Sequence, residues 1–413
     1  MIDTSSAAGI AASRQKSCNA CVRGKRRCDK RAPRCSRCVA RGLDCVYYRP
    51  QPLTTTSSSE YGGSPDERDP SSESLLDVSL ADLLAVPEGG WTLDGLDGFV
   101  PPVRDVSVLR TSEQICVSLD ALQVHDPRSR VGFIVGFLSG LGEQLRVRSA
   151  LPFMHSRLWA ATLPPPLLAA FSAASARGGR SVANRGWTAR LVAEACRDVV
   201  RSGESLPLDD DDDDDDKDED YEDEGRERHL LARVQALTVA NSIRVFDGDI
   251  GLAAAAERDM SVLVSWLGDL VGLRERLEGR AGGAGGRPCA HLPPESWESW
   301  VFLESVRRTI ITASAFMCIV HLLRSEQPAA NMWIEKQNFT ASRHLWEATS
   351  SVEFYRAWRE KPAYWVENSA FGDVWMYARP ADLDEFTTVM LTPYVGVDAM
   401  EHFMETPTSE YNS

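Results

Sequence analysis

The chain has 413 residues, 43% of them hydrophobic and 8% aromatic, which is enough for two or three folded units and a sizeable core. No apolar stretch follows a basic start, so we expect no secretory signal. The longest apolar run, Thr309 to Leu323, is shorter than the roughly 20 residues that cross a bilayer, and we interpret it as a buried helix. The composition therefore argues against a secreted protein and against a membrane partner.

The formal net charge of −15 is distributed very unevenly along the chain. Residues 14–49 contain twelve Lys or Arg and two Asp, whereas residues 209–224 contain fourteen Asp or Glu and one Lys. A basic head on an acidic body is typical of a module that binds a polyanion and is attached to a second unit.

Six of the ten cysteines lie between residues 18 and 45, in the pattern C-x2-C-x6-C-x6-C-x2-C-x6-C. They are Cys18, Cys21, Cys28, Cys35, Cys38 and Cys45. Thiolates at this spacing favour zinc, which takes four ligands in a structural site. Six sulfurs satisfy two Zn2+ ions only if two thiolates bridge both metals, and the symmetry of the repeat points to Cys18 and Cys35. One zinc would then bind Cys18, Cys21, Cys28 and Cys35, and the other Cys18, Cys35, Cys38 and Cys45.

Two other interpretations of the cysteines remain open. Three disulfides would require an oxidising compartment, which the missing signal argues against. A metal-buffering peptide would not explain the basic residues between the ligands. The other four cysteines, which are scattered singly, are expected to be buried free thiols: Cys116, Cys196, Cys289 and Cys318.

The cysteine pattern, together with Pro33 and the run Lys25-Arg26-Arg27, resembles the DNA-binding domain of fungal zinc-binuclear-cluster transcription factors. The resemblance implies that Lys25 reads the guanines of a CGG triplet in the major groove, where guanine presents two acceptors, and that Arg26 adds to this readout. We expect the remaining basic residues to contact phosphates or to serve nuclear import. The alternative for each is a solvated surface charge. These residues are Arg14, Lys16, Arg23, Arg27, Lys30, Arg31, Arg34, Arg37 and Arg41. We also expect one short helix between Cys21 and Cys28 and another between Cys38 and Cys45.

The zinc module is assigned to residues 14–49, between a disordered N-terminus (1–13) and a flexible linker (50–74) rich in Pro, Ser, Thr and Gly. Residues 75–89 alternate acidic and apolar side chains, which suits either a coactivator groove or a short helix docked on the body. They are too short for a stable coiled coil. Because a three-base site recurs often by chance, we expect a homodimer through the C-terminal body, flanking contacts or a partner protein to supply further specificity.

Residues 90–405 show apolar side chains at helical spacing, which predicts an all-helical regulatory domain before a short tail (406–413). Two interruptions are predicted, a disordered acidic insertion at 205–226 and a Gly/Pro-rich loop at 279–294. The body resembles the middle homology region of the same regulators in four stretches: Leu151 to His155, Leu163 to Leu167, Trp300 to Thr309 and Gly396 to Met404. The overall prediction is a small zinc-stapled two-helix DNA-binding module and a mostly all-α regulatory domain joined by disordered linkers.

The function that the sequence favours is a nuclear regulator of RNA polymerase II genes that binds double-stranded DNA and contacts the transcription machinery or coactivators. Control of a fungal biosynthetic gene cluster is implied by the resemblance alone. The alternative is a ligand-sensing or protein-interaction body that DNA binding merely localises. We predict no enzyme, because no H-E-x-x-H, G-x-S-x-G or P-loop is present and histidines such as His155, His291 and His321 are isolated.

Overall fold

A computed structural model describes the body in four segments, residues 104–203, 219–280, 293–324 and 337–405. It describes eight residues of the basic head: Cys18, Cys21, Arg27, Cys28, Cys35, Arg37, Cys38 and Arg41. The predicted N-terminus, linker, segment 75–89 and C-terminal tail lie outside the described residues.

Thirteen α-helices and two short strands make up the described body. The first seven helices are α1 (Ser112–Ser118), α2 (Arg130–Arg148), α3 (Pro165–Gly178), α4 (Arg185–Arg201), α5 (Glu219–Val245), α6 (Ile250–Arg258) and α7 (Met260–Arg280). They are followed by α8 (Trp297–Leu323), β1 (Phe339–Ala341), α9 (Arg343–Trp346), α10 (Ser351–Glu360), β2 (Tyr364–Val366), α11 (Gly372–Tyr377), α12 (Glu385–Val395) and α13 (Val397–Glu405). The fold is therefore mostly helical, as predicted.

Several helices begin at a residue whose side chain satisfies a free backbone N–H of the first turn. Ser129, Ser296 and Ser350 each accept a hydrogen bond from the amide three residues ahead, as Asp384 does at the start of α12. Such N-caps contribute about 1 kcal/mol each and set where a helix starts. The starts of these four helices thus follow from local sequence.

Helix α8 forms the centre of the body. It packs against α2, α5, α7, α10 and β1. Of its 27 residues, 21 are buried, including Trp297 and Trp300, so these tryptophans pack in the interior. By length and composition α8 could cross a membrane, but 78% of its apolar stretch is buried inside the body. The interpretation of its apolar run as a buried helix is confirmed.

A two-stranded antiparallel sheet is the feature of the body that helical periodicity did not predict. Strand β1 pairs with β2 so that Thr340 lies opposite Trp365. Each strand has only three residues, and such short apolar segments cannot be told from helix by periodicity. The sheet makes the body less than fully helical.

The acidic insertion is shorter than predicted. Helix α5 begins at Glu219, so residues 219–226 are helical, whereas 204–218 lie outside the described residues. Ion pairs one turn apart, Asp223 with Arg226 and Glu224 with Arg228, stabilise this end, and acidic residues in a first turn also favour the helix dipole. Helix α7 similarly continues to Arg280, into the predicted loop at 279–294.

Candidate metal centre and nucleic-acid interface

Four cysteine sulfurs of the basic head converge on one point. Their Sγ atoms all lie within 4.8 Å of one another, although the residues span 18 positions of sequence: Cys18, Cys21, Cys28 and Cys35. This is the set that the spacing assigned to one of the two zinc ions. The folded chain thus brings together the four ligands that a closed structural zinc site requires.

The distances between the sulfurs test whether zinc fits. With Zn–S bonds of about 2.3 Å, a tetrahedral site has sulfur–sulfur separations of about 3.8 Å. The Cys18 sulfur lies 3.7 Å from those of Cys28 and Cys35, and the Cys21 sulfur lies 3.6 Å from that of Cys35. These separations match the edges of a tetrahedron around zinc.

Cys18 also adjoins the second predicted metal set. Its sulfur lies 3.7 Å from that of Cys38, a predicted ligand of the second zinc, while contacting Cys28, a predicted ligand of the first. A thiolate next to ligands of both ions is suitably placed to bridge them. Cys45 lies outside the described residues, so the fourth corner of the second site stays a prediction.

Burial sets the electrostatics of the cysteines. Cys18, Cys21, Cys35 and Cys38 are fully buried, and Cys28 is half-buried. Desolvation raises the pKa of the Cys35 and Cys21 thiols above their usual value, because a buried thiolate without a cation is costly. Two zinc ions would offset this cost, and metal binding would release the thiol protons. The donor set therefore fits two zinc ions that hold the head together.

Arg37 has a contact that its assignment to DNA did not anticipate. Its guanidinium lies 3.7 Å from the Cys21 sulfur and lowers the pKa of that thiol, opposing the effect of burial. A cation beside a metal-bound thiolate stabilises its negative charge. Arg37 is thus placed to support the metal site.

The other basic residues divide into two groups. Arg27 and Arg41 are exposed, as contacts to phosphate require. The remaining residues predicted to touch DNA or to serve nuclear import lie outside the described residues: Arg14, Lys16, Arg23, Lys25, Arg26, Lys30, Arg31 and Arg34. Cys21, Arg37 and Cys38 are helical, where the two short helices were expected to begin.

Two of the isolated cysteines and one histidine of the body are shown to be buried in its packing. Cys196 and Cys318 are buried free thiols, as expected, whereas Cys116 is half-buried and Cys289 lies outside the described residues. His155 is buried edge-on against the ring of Trp346, with ring centroids 4.8 Å apart. Burial lowers the pKa of His155 to about 4, so the imidazole is neutral.

A buried ionic cluster around Arg308 is the feature of the body that sequence reasoning missed. The guanidinium donates to the carboxylates of Glu304 at 3.1 Å and Asp384 at 2.8 Å, and to the Thr340 carbonyl at 2.9 Å. It also contacts the Pro152 carbonyl at 3.4 Å and lies 3.8 Å from the centre of the Trp346 ring. The cluster thereby joins two of the four stretches that resemble the middle homology region.

These geometric findings agree with comparisons to known proteins. Residues 16–54 match the family of the fungal Zn(2)-Cys(6) binuclear cluster domain. The N-terminal part of this chain therefore contains a zinc-cluster domain of this type. Over 407 residues the chain is 24% identical to transcription factor gsfR2 of Penicillium aethiopicum, an alignment that covers 93% of each protein. No solved structure matches the chain.

Proposed function

We propose that this protein is a sequence-specific, DNA-binding regulator of RNA polymerase II transcription that acts in the nucleus and reads CGG-type triplets. The observation that carries the proposal is the convergence of Cys18, Cys21, Cys28 and Cys35 at tetrahedral separations, within a segment dense in basic residues. The family match at residues 16–54 and the similarity to a fungal transcription factor support it.

The metal ions supply folding energy in this proposal, because the head holds few apolar residues apart from its cysteines. Once the head is folded, Lys25 would donate hydrogen bonds to the N7 and O6 acceptors of guanine in the major groove, with Arg26 beside it. The other basic residues would bind phosphates and fix the register, which carries no base information. Lys25 and Arg26 owe these roles to the family resemblance.

A single triplet cannot locate one gene, since each base contact discriminates by only about 1–3 kcal/mol. We infer that a homodimer through the C-terminal body supplies a second head and hence a second half-site. Coactivators or the transcription machinery would bind elsewhere on the chain. The genes controlled would form a fungal biosynthetic cluster, which the resemblance suggests.

Selection from random DNA tests this function directly. Full-length protein with zinc is incubated with a library of random duplexes, and the bound duplexes are sequenced after several rounds. We expect enrichment of CGG triplets, in pairs at a fixed spacing if the protein binds as a dimer. Protein treated with a chelator is the matched control and should enrich nothing. Equal recovery of all sequences by the zinc-loaded protein would contradict the proposal.

A further inference from the structure

A cavity of about 80 Å³ lies in the body, far along the chain from the cysteine head. Its walls come from α1, α2, α8 and α12, from β1, and from the segment between β2 and α11. Most of the lining is apolar, including Ile115, Phe137, Ile311, Phe339 and Met390. We call it the Gln337 cavity, after the residue that lines its polar side.

The polar side chains of this lining are linked to one another. The Ser369 hydroxyl donates to Gln337 Oε1 at 2.8 Å, and the Ser369 backbone N–H donates to the Gln337 carbonyl at 3.3 Å. The hydroxyl oxygens of Ser112 and Tyr394 lie 3.0 Å apart. These contacts hold the Gln337 amide with its oxygen already occupied.

The nitrogen of the same amide, Nε2, has no acceptor for its hydrogens among the described residues. Gln337 is 6% exposed, and this nitrogen is buried. A buried N–H group without an acceptor costs free energy, so most such groups in proteins are paired. An unpaired donor at the edge of an apolar cavity is the arrangement found in small-molecule sites, where a few polar groups orient a mainly apolar ligand.

The lining also defines the charge and size of a ligand. None of the described residues around the cavity is Asp, Glu, Lys, Arg or His. Burial raises the pKa of the Cys318 thiol in the wall to about 12, so this group is neutral as well. A charged ligand would find no counterion among these described residues. The volume is about half that of the engineered cavity of about 150 Å³ that encloses benzene, so a ligand enclosed here must be smaller than a benzene ring.

We propose that the Gln337 cavity binds an uncharged molecule smaller than benzene, with an apolar body and a hydrogen-bond acceptor, such as a carbonyl oxygen, that receives the Gln337 Nε2–H. A ligand there would touch α1, α2, α8 and α12 together and would stabilise the body by mass action. The site lies wholly within the body and does not depend on how the cysteine head reads DNA.

Two commercial compounds of nearly the same shape test the proposal. Cyclobutanone carries the carbonyl acceptor, and methylenecyclobutane replaces that oxygen with a methylene group. Each is titrated into full-length, zinc-loaded protein, and binding is followed by saturation-transfer NMR of the ligand. We expect both to bind, because both fill the apolar cavity. Failure of both compounds to bind up to their solubility would overturn the proposal, and because no DNA is present, this result is distinct from a failure of DNA reading.

Variants then locate the site. Ala315 lies in the cavity wall on α8, so Ala315→Leu should fill the space and weaken both compounds at least tenfold. Ala254→Leu, at an exposed position of α6, is the matched control and should leave both affinities unchanged. Equal affinities in the native protein and in Ala315→Leu would place the binding elsewhere and overturn the proposal.

Gln337→Met tests the hydrogen bond, and its result stands even if Ala315→Leu fails to fold. Methionine keeps the length of the side chain but removes the donor. We expect the affinity of cyclobutanone relative to methylenecyclobutane to fall about fivefold, the effect of one neutral hydrogen bond, because the comparison cancels changes that affect both ligands. An unchanged ratio would show that Gln337 does not contact the acceptor and would overturn the assignment.

Discussion

The Arg308 guanidinium donates to the Asp384 carboxylate at 2.8 Å, and neither side chain has more than 1% of its surface exposed. The pair joins the central helix α8 to the first residue before α12, 76 positions later in the chain. Glu304, one turn before Arg308, accepts from both Arg308 and the Thr340 backbone N–H, so the same cluster also holds β1 against α8. Buried charges thus decide how the C-terminal elements dock.

Removing one partner of this pair should destabilise the body strongly. Asp384→Ala leaves Arg308 with one carboxylate fewer in the interior and also removes the N-cap of α12, where Asp384 accepts from the Thr387 N–H. We expect a loss of about 3–5 kcal/mol in the free energy of unfolding, measured by urea denaturation.

The adjacent residue provides the control for this prediction. Glu385 forms an ion pair with Arg148 at 2.9 Å, but both side chains are about half exposed. Glu385→Ala should therefore cost less than about 1 kcal/mol. Similar losses for the two variants would show that burial does not determine the strength of these pairs.

Acid should destabilise the body through His155. Burial lowers the pKa of this histidine from 6.5 to about 4, so the unfolded chain takes up a proton at a higher pH than the folded one. The stabilisation is complete above pH 6.5 and is lost as the pH falls towards 4, by at most about 3 kcal/mol.

The variant His155→Asn separates this effect from other titrating groups. The Asn side chain oxygen can accept the Arg157 N–H that now donates to His155 Nδ1 at 3.1 Å, and it does not titrate. We expect the free energy of unfolding of this variant to depend less steeply on pH between 6.5 and 4. Parallel curves for the variant and the native protein would contradict the assignment.

The bridging position of Cys18 predicts a distinct metal stoichiometry. Cys18→Ser removes a sulfur that both zinc ions share, so we expect purified protein to hold well below the two equivalents of the native chain, measured by elemental analysis. Cys196→Ser is the control, since this buried cysteine lies in the body and packs near the Ala240 carbonyl. Two bound zinc ions in Cys18→Ser would argue against bridging.

Lys25→Ala should separate base reading from phosphate binding. We expect it to weaken binding to CGG-containing duplexes by about 1–3 kcal/mol and to leave binding to scrambled duplexes nearly unchanged, as measured by fluorescence anisotropy. Lys30→Ala, at a position assigned to phosphate, should weaken both duplexes alike. Equal losses on the two duplexes for Lys25→Ala would assign Lys25 to phosphate instead.

Salt dependence measures how many phosphates the head neutralises. If about five are contacted per head, the logarithm of the affinity should fall with the logarithm of salt concentration at a slope near −4 to −5. Titrations of the full chain between low and physiological salt provide this slope. A value near zero would remove the basic head from the interface.

The convergence of four of the six cysteines was predictable from sequence because the chemistry of a zinc site depends on the number and spacing of its ligands. Six thiolates for two four-coordinate ions leave few arrangements, and the four sulfurs of one predicted set converge in the folded chain. The buried helix at Thr309 to Leu323 could also be predicted from the sequence, since an apolar run without a polar face is typical of a core helix. Both predictions depend only on the type and spacing of residues that are close together in the sequence.

Only the tertiary structure decided which polar groups are buried and what they meet. Glu304 and Arg308, four residues apart, resemble an ordinary surface pair in the sequence, yet both are buried because α2, α5, α7, α10 and β1 pack against α8. The Gln337 amide likewise has its oxygen bound by Ser369, 32 residues later, while its Nε2 has no partner among the described residues. Burial and hydrogen bonding arise from contacts between residues that are far apart in the sequence. Local sequence patterns cannot predict which of these residues will meet in the folded chain.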